Sequence, residues 1–213
     1  MRTLAAGFAA LTIAVVAAPV AGASPATAEQ AGFVDITTVV PDAVVDLRYA
    51  TPDNFVGRQL YPPDARCLVH ESLTPGLAKA AQALRARDAK LVFWDCYRPH
   101  AVQVEMFSDT PDPNWVARPG TLARSHESGR SVDVTLADAG SGQLVDMGTG
   151  FDDFSAAAKA FATDGVTPEQ QANRKWLRDG MAVGGLSVYS GEWWHFDGPG
   201  ADVGRPIQDV PLS

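Results

Sequence analysis

The chain has 213 residues, of which 46% are hydrophobic and 20% are charged, and both values are ordinary for a globular protein. This length suits one domain with its own core. The formal net charge of -8 would repel a polyanion, and the sequence has no basic run, so we expect no nucleic-acid partner.

Residues 1–28 have the layout of a secretory signal peptide. Arg2 supplies a positive start, and residues 4–20 form an apolar stretch. Small-residue cleavage signals follow at 21–23 and 26–28. We therefore predict that this segment directs export and is removed, which leaves a protein without membrane contact. The alternative is an uncleaved membrane anchor, because the apolar stretch is about long enough to span a bilayer.

Short apolar or alternating runs predict five strands. In chain order these strands cover 34–36, 44–47, 90–94, 131–136 and 186–196. Turns are predicted at 41–42 and 139–142, and the second turn leads the chain back into 143–147. Glycine, proline and aromatic residues predict an ordered surface loop over 54–64, and three prolines with little periodicity predict a long loop over 108–121.

Three segments carry helical signals. The first starts at Thr74, which a proline follows in a favourable arrangement for a helix start, and its apolar residues from Leu77 to Leu84 share one face. The others cover 100–107 and 168–182, the last with Thr167 as a candidate N-cap. Because helices and short strands are mixed without regular βαβ units, the predicted class is α+β.

Cys67 and Cys96 are the only cysteines of the chain. An even pair in an oxidising compartment favours a disulfide. Two separate buried thiols are the alternative, and spacing alone does not decide between them.

Two histidines and two carboxylates point to a metal site. Asp133 follows His126 by seven residues with Gly129 between them for a tight turn, and Glu192 precedes His195 by three. Catalytic zinc uses three protein ligands and leaves one position open for water. We predict that His126, Asp133 and His195 bind one zinc ion, and that Glu192 accepts a proton from the attacking water.

From spacing alone, a second explanation of these residues is as good as the zinc site. The Glu192-x-x-His195 pattern is also explained by packing of the aromatic strand around Trp193 and Trp194. In addition, alternate residues of a strand face opposite sides. The zinc hypothesis therefore requires a bend or bulge between Glu192 and His195.

Several motifs in the same order resemble those of the zinc D-alanyl-D-alanine dipeptidases of the VanX type. The motifs are His126-x-x-Gly129-x-x-x-Asp133, Glu192-Trp193-Trp194-His195-Phe196, Trp94-Asp95-x-Tyr97-Arg98-Pro99, Arg48-Tyr49-Ala50-Thr51-x-Asp53-Asn54-Phe55-x-Gly57, Met147-Gly148-Thr149-Gly150-Phe151-Asp152 and Gln171-x-Asn173-Arg174. They extend from about residue 33 to residue 200. The resemblance implies a single α+β domain over 29–213, in which a small antiparallel sheet carries the zinc site and helices pack against it.

The resemblance also implies roles for individual residues. It makes His126, Asp133 and His195 the zinc ligands, and it makes Glu192 the general base that later protonates the leaving amine.

Two further residues receive substrate-directed roles from the resemblance. Arg98 resembles the cation that stabilises the tetrahedral intermediate, where a fixed guanidinium would share the developing charge. A structural salt bridge between Arg98 and Asp95 is the alternative. Asp152 resembles the carboxylate that binds the free ammonium group of a small D-amino-acid dipeptide. It would select a dipeptide, because an internal peptide bond has no charge to pair with it.

The chain departs from the family pattern at two positions. Arg124 stands where serine is usual and Ser131 stands where alanine is usual. Neither departure removes a ligand, so the zinc prediction stands. We expect Arg124 to change the rim of the pocket and with it the exact substrate.

The sequence therefore predicts an exported zinc dipeptidase that acts on D-alanyl-D-alanine in peptidoglycan turnover. A zinc D,D-carboxypeptidase acting on stem peptides is the second hypothesis, and the role of Asp152 distinguishes the two. A non-catalytic zinc protein that binds wall peptides is the third, against which the presence of Glu192 and Arg98 argues. Oligomeric state does not follow from the sequence.

Overall fold

Seven short strands are present in residues 27–213, the part of the chain that the computed structural model describes. In chain order they are β1 (Phe33–Asp35), β2 (Val44–Val45), β3 (Leu68–His70), β4 (Ala89–Asp95), β5 (Ser131–Asp138), β6 (Ser187–Val188) and β7 (His195–Asp197). Five of them form a central sheet in the order β2-β4-β5-β7-β6, while β1 and β3 form a separate antiparallel pair. Neighbours in the central sheet are antiparallel, except that β2 runs parallel to β4.

The same residues contain α-helices that pack beside the sheet. In chain order they are α1 (Ile36–Val39), α2 (Thr74–Arg85), α3 (His100–Asp109) and α4 (Pro168–Val183). Helix α2 packs against β4 and α4. It buries the predicted apolar face, which comprises Leu77, Ala80, Ala81 and Leu84. The α+β class, with a small and mainly antiparallel sheet beside helices, is confirmed.

Specific contacts hold both ends of α4. At its start, Thr167 Oγ1 accepts a hydrogen bond from the Gln170 amide at 3.2 Å, and Gln170 Oε1 accepts from the Thr167 amide at 2.9 Å. This reciprocal cap confirms the predicted N-cap. At its end, a Cβ on Gly76 of α2 would lie 2.4 Å from the Gly184 carbonyl oxygen. The close approach of α2 to α4 therefore requires glycine.

The predicted strands at 34–36 and 44–47 do not pair with each other around a turn. The Asp35 carboxylate ends β1 and begins α1, because it accepts a hydrogen bond from the Thr37 amide at 2.9 Å. Strand β1 then pairs with β3, and β2 joins β4. A local pattern predicts a strand but not its partner, which packing against distant segments selects.

The single strand predicted over 186–196 is instead a hairpin of two short strands. Ser187 of β6 lies opposite Asp197 of β7, and the chain turns between them. Glu192 lies in this turn, outside both strands. The chain therefore bends between Glu192 and His195, as the zinc hypothesis requires.

Cys67 and Cys96 form a disulfide with a Cα–Cα distance of 5.3 Å. The interpretation as two separate thiols is therefore wrong. The bridge joins the residue before β3 to the residue after β4, so it ties the outer strand pair to the central sheet.

Most of the predicted signal peptide lies outside the described residues, up to residue 26. Thr27 and Ala28, by contrast, form part of a turn on the core. Ala28 is 5% exposed, and its carbonyl accepts a hydrogen bond from the Phe33 amide at 2.8 Å. A boundary after Ala28 would cut through this turn. Among residues 27–213, no helix has the length and apolar character needed to cross a membrane.

Candidate active site

A cavity of about 440 Å³ is lined by all six residues for which the sequence predicts a chemical role. These residues are Arg98, His126, Asp133, Asp152, Glu192 and His195. They come from five separate segments of the chain, which only the folded sheet brings together. The volume lies within the range of sites that bind small molecules.

The three predicted metal ligands project from two paired strands and a tight turn. Asp133 on β5 lies directly opposite His195 on β7, so their side chains emerge on the same face of the sheet. His126 lies in the 3-10 turn Ser125–Ser128, which ends at Gly129 with a φ of 63°. A Cβ on Gly129 would also lie 2.3 Å from a neighbouring aromatic ring. Conformation and packing therefore both require glycine here.

The facing atoms of these ligands form a nearly equilateral triangle. His126 Nε2 lies 3.0 Å from His195 Nδ1 and 3.2 Å from Asp133 Oδ1, and the last two atoms are 3.0 Å apart. Tetrahedral zinc with bonds of about 2.0–2.1 Å separates its ligand atoms by about 3.3 Å. Two imidazole nitrogens and a carboxylate oxygen are also a donor set typical of catalytic zinc. The residues therefore fit a zinc ion with one position open.

Hydrogen bonds behind each imidazole determine which nitrogen faces the triangle. His126 Nδ1 donates to the Cys96 carbonyl at 2.8 Å, which leaves the lone pair of Nε2 directed at the cluster. On His195, Nε2 lies 3.1 Å from Asp197 Oδ1, so Nδ1 faces the cluster. Asp197 was not among the residues predicted from the sequence. Its position two residues after His195 on a strand was a usable signal, because such residues share a face.

Ser131 contacts this outer carboxylate. Its hydroxyl donates to Asp197 Oδ1 at 2.5 Å and accepts a hydrogen bond from Ser125 Oγ at 3.0 Å. Asp197 is therefore held by Ser131 as well as by His195. The departure from alanine adds a contact behind the ligands and leaves the three ligands in place.

The ligand cluster attracts positive charge. Burial lowers the pKa of His195, but the hydrogen bonds to Asp133 and Asp197 outweigh burial and raise this pKa to about 10. Burial raises the pKa of Asp133, but the adjacent His126 and His195 outweigh it and hold that pKa well below its usual range. An environment that stabilises a cation in this way suits a metal ion.

Glu192 is a partly buried carboxyl on the wall of the same cavity. Removal from bulk water raises the pKa of Glu192 to about 7, against the opposing effect of His195 and with a further increase from Asp133. A group with a pKa near neutrality accepts and returns a proton at a similar cost. This environment suits a general base.

Arg98 is held on three sides of its guanidinium group. Its Nε and Nη2 donate to Asp95 Oδ2 at 3.0 and 2.6 Å, and its Nη1 donates to Gln103 Oε1 at 2.9 Å. The guanidinium carbon also lies 5.2 Å from the centre of the Tyr49 ring. Arg98 therefore forms the salt bridge with Asp95 and also lines the cavity. Arginine has five N–H donors, so donors beyond these three hydrogen bonds are available to a ligand.

Asp152 is a second partly buried carboxyl in the cavity. The Tyr49 hydroxyl donates to its Oδ1 at 3.1 Å, and the Phe55 amide donates to its Oδ2 at 3.2 Å. Removal from water raises the pKa of Asp152 to about 8, against the effect of the Phe55 hydrogen bond. A carboxyl that ionises at such a cost is well suited to pair with a bound cation.

Arg124 borders the cavity at its exposed rim. Its Nε donates to the Asp202 carbonyl at 3.1 Å. The side chain therefore lies at the entrance, and the predicted effect of Arg124 on the rim stays a prediction.

Comparisons with known proteins agree with this arrangement. Residues 29–213 match the Peptidase_M15 family, which is described as D-ala-D-ala dipeptidase. The D-alanyl-D-alanine dipeptidase of Escherichia coli (strain K12) is 37% identical over 169 residues, which cover 79% of this chain and 86% of that protein. The D-alanyl-D-alanine dipeptidase of Enterococcus faecium is 30% identical over 183 residues, which cover 78% and 90%.

Among solved structures, the vancomycin resistance D,D-pentapeptidase VanY in complex with Zn(II) matches at 18% identity and a TM-score of 0.41. The match covers 63% of this chain and 75% of that chain. The family match spans nearly all of the described residues, and the first of these relatives exceeds 30% identity over most of both chains. The chain therefore belongs to the D-ala-D-ala dipeptidase family and is a metallopeptidase.

Proposed function

We propose that the protein is a zinc-dependent dipeptidase that hydrolyses D-alanyl-D-alanine to two molecules of D-alanine. The main support is one cavity lined by the ligand triangle, a carboxyl of raised pKa, a fixed guanidinium group and a second carboxyl. The names of the relatives from Escherichia coli and Enterococcus faecium support the same substrate.

His126, Asp133 and His195 would hold one zinc ion per chain. When bound, zinc would polarise the scissile carbonyl and lower the pKa of a water molecule toward neutrality. Glu192 takes a proton from the attacking water and passes it to the leaving amine. Its pKa of about 7 suits both transfers, because neither protonation state is strongly disfavoured near neutral pH.

Arg98 stabilises the negative charge that develops on the carbonyl oxygen. Asp95 and Gln103 hold its guanidinium group in place, so the group needs no reorganisation during the reaction. Removal of one such donor typically lowers kcat by about 10²–10³.

Asp152 binds the free ammonium group of the substrate. A bound ammonium supplies the counter-charge that this partly buried carboxyl lacks in the free enzyme. A longer peptide presents an uncharged amide at the same place and leaves the carboxylate unpaired, which is costly away from water. Asp152 thereby selects dipeptides.

A D,D-carboxypeptidase that trims D-alanine from peptidoglycan stem peptides is the second candidate. The signal-peptide pattern of residues 1–28 favours this alternative, because export would bring the enzyme to wall-attached stems. A non-catalytic protein that binds wall peptides is disfavoured by the presence of both Glu192 and Arg98 in the cavity.

We further propose that the enzyme acts outside the cytoplasmic membrane in peptidoglycan turnover or nutrient recovery. The apolar stretch and the small-residue cleavage signals support export. An exported enzyme meets D-alanyl-D-alanine released from the wall. It does not meet the cytoplasmic precursor pool that a resistance enzyme must deplete.

The test compares the zinc-loaded protein on D-Ala-D-Ala and on a stem pentapeptide with the same two terminal residues. We expect release of D-alanine from the dipeptide at a much higher kcat/KM than from the pentapeptide. Faster cleavage of the pentapeptide would contradict the dipeptidase proposal and support the carboxypeptidase. If neither substrate were hydrolysed, the hypothesis of a non-catalytic protein that binds wall peptides would remain.

Glu192→Gln tests the mechanism. We expect kcat to fall by about 10²–10⁴ because the proton acceptor is lost, while the zinc content measured by elemental analysis stays at one per chain. Glu169→Gln, an exposed change on α4, is the matched control and should retain full activity. Full activity of Glu192→Gln would contradict the role of Glu192 as base.

A further inference from the structure

Three aromatic rings form a shelf along the cavity that the mechanism above does not use. The shelf consists of Phe55, Phe154 and Trp115, which all line the cavity and are half-buried. The centres of the Phe55 and Phe154 rings are 5.2 Å apart. Trp115 stacks on Phe154 at 5.1 Å with an interplanar angle of 18°. The shelf is therefore one continuous apolar surface that faces the substrate space.

The aromatic shelf begins at the carboxyl of Asp152. The Phe55 amide donates to Asp152 Oδ2 at 3.2 Å, and Phe154 follows Asp152 by two residues. The far end of the shelf is also fixed, because Gln103 Nε2 donates to the carbonyl of Ala117 at 2.6 Å, two residues after Trp115. The rings therefore occupy a defined position relative to the ammonium site.

We infer that the aromatic shelf receives the side chain of the first residue of the dipeptide, so that the substrates include dipeptides with a large apolar D-residue before D-alanine. This inference rests on the proposed function, because it places the substrate ammonium at Asp152. The ammonium and the side chain of the first residue are bonded to the same Cα. An ammonium paired with Asp152 therefore brings that side chain next to the shelf.

Both the burial of apolar surface and the size of the cavity favour a large apolar side chain on the shelf. An apolar side chain gains free energy when aromatic rings remove it from water. A cavity of about 440 Å³ is within the range that holds drug-sized ligands, which is more room than two alanine residues need. The methyl group of a first D-alanine would cover little of the shelf.

The first experiment measures kcat/KM of the zinc-loaded enzyme for D-Ala-D-Ala, D-Phe-D-Ala and D-Ala-D-Phe. We expect D-Phe-D-Ala to be cleaved at least as well as D-Ala-D-Ala, and about ten-fold or more better than D-Ala-D-Phe, because only a first-residue side chain reaches the shelf. Poorer cleavage of D-Phe-D-Ala than of both other dipeptides would overturn the inference.

Variants of the shelf give a readout that does not depend on overall activity. Trp115→Ala should lower the ratio of kcat/KM for D-Phe-D-Ala to that for D-Ala-D-Ala by about ten-fold. Trp115→Leu keeps an apolar side chain and should lower the ratio less. Phe161→Ala removes an aromatic residue that is 64% exposed and lies outside the cavity lining, so its ratio should equal that of the wild type. An unchanged ratio in both Trp115 variants would contradict the inference.

Two further measurements distinguish this inference from binding of an N-terminal extension and from a failure of the proposed function. If N-acetyl-D-Phe-D-Ala were cleaved as fast as D-Phe-D-Ala, the shelf would bind an N-terminal extension, and the inference would be wrong. If no dipeptide were hydrolysed, the proposed function would fail. Calorimetry of dipeptides on zinc-loaded Glu192→Gln would still test the shelf, with D-Phe-D-Ala expected to bind about ten-fold tighter than D-Ala-D-Ala, and equal or weaker binding contradicting it.

Discussion

At the scale of single residues, the environment that suits Asp152 for its proposed role in substrate binding also lowers the stability of the folded protein as the pH rises. Removal from water and the nearby Asp133 raise the pKa of Asp152 to about 8, while the Phe55 hydrogen bond, Arg98 and Tyr49 lower it. In the unfolded chain the pKa is near 3.8. Between about pH 4 and pH 8 the folded protein thus retains a proton that the unfolded chain has lost. The free energy of unfolding therefore falls as the pH rises through this window.

Asp152→Asn should remove this dependence. Asparagine tolerates the left-handed φ of 57° at this position. We expect the metal-free variant to be more stable than the wild type at pH 8 by about 1 kcal/mol or more, since one pKa unit corresponds to about 1.4 kcal/mol, with a much smaller difference at pH 5. Urea unfolding of chelator-treated wild type and variant at both pH values measures this difference in the free energy of unfolding. An equal difference at both values would show that Asp152 does not titrate as described.

At the scale of elements, the loop at 110–121 is connected to Arg98 through α3. Gln103 on α3 donates to the Ala117 carbonyl at 2.6 Å and accepts from Arg98 Nη1 at 2.9 Å. A single side chain thus joins the loop to the guanidinium group. No local sequence signal marks Gln103, because its role arises from two contacts that are distant along the chain.

Replacement of Gln103 should act on catalysis through Arg98. We expect Gln103→Met to lower kcat by about ten-fold with little change in KM, because in the proposed mechanism Arg98 interacts most strongly with the transition state. Gln103→Glu keeps an acceptor for Arg98 and should retain more activity. The exposed Gln143→Met is the control, expected to behave as the wild type. A change in KM alone would assign Gln103 to substrate binding.

The disulfide lies directly behind the ligand triangle. The carbonyl of Cys96 accepts the hydrogen bond that orients His126, and the bridge to Cys67 holds this segment against β3. Replacement of both cysteines by serine should lower the free energy of unfolding by about 3–4 kcal/mol, from the chain entropy of a loop with a sequence separation of 29.

The same double variant should also bind zinc about ten-fold or more weakly, as is typical when an outer partner of a ligand is disturbed. Competition with a chelator of known affinity measures this. An unchanged zinc affinity would mean that the backbone holds the Cys96 carbonyl without the bridge.

At the scale of the whole molecule, the fold bears on where the proposed signal peptide would be removed. Cleavage after residue 28 would delete Ala28, which is buried in the core and accepts a hydrogen bond from Phe33. Cleavage after Ala23 would leave this turn intact. If the protein is exported as we propose, we therefore expect the mature chain to begin at Ser24, and the intact mass of the secreted protein tests this. A mass that begins at Glu29 would show that the turn is dispensable.

The elements with strong local signals were predicted within a few residues. Helix α4 was predicted together with its N-cap, and β4 and β5 were predicted from short apolar runs. The pairing of β1 with β3 and the hairpin of β6 and β7 were not predicted. Strand pairing depends on contacts between distant segments, and two strands of two or three residues carry little local pattern.

The sequence by itself determined the family, because several motifs occur in one order along most of the chain, and it determined which six side chains carry suitable chemical groups. Only the tertiary structure placed these side chains in one cavity. It also placed Asp197, the Cys96 carbonyl and Gln103 behind them. The reason is physical: a motif specifies the type of a side chain, whereas its pKa and orientation depend on neighbours that folding brings from elsewhere in the chain.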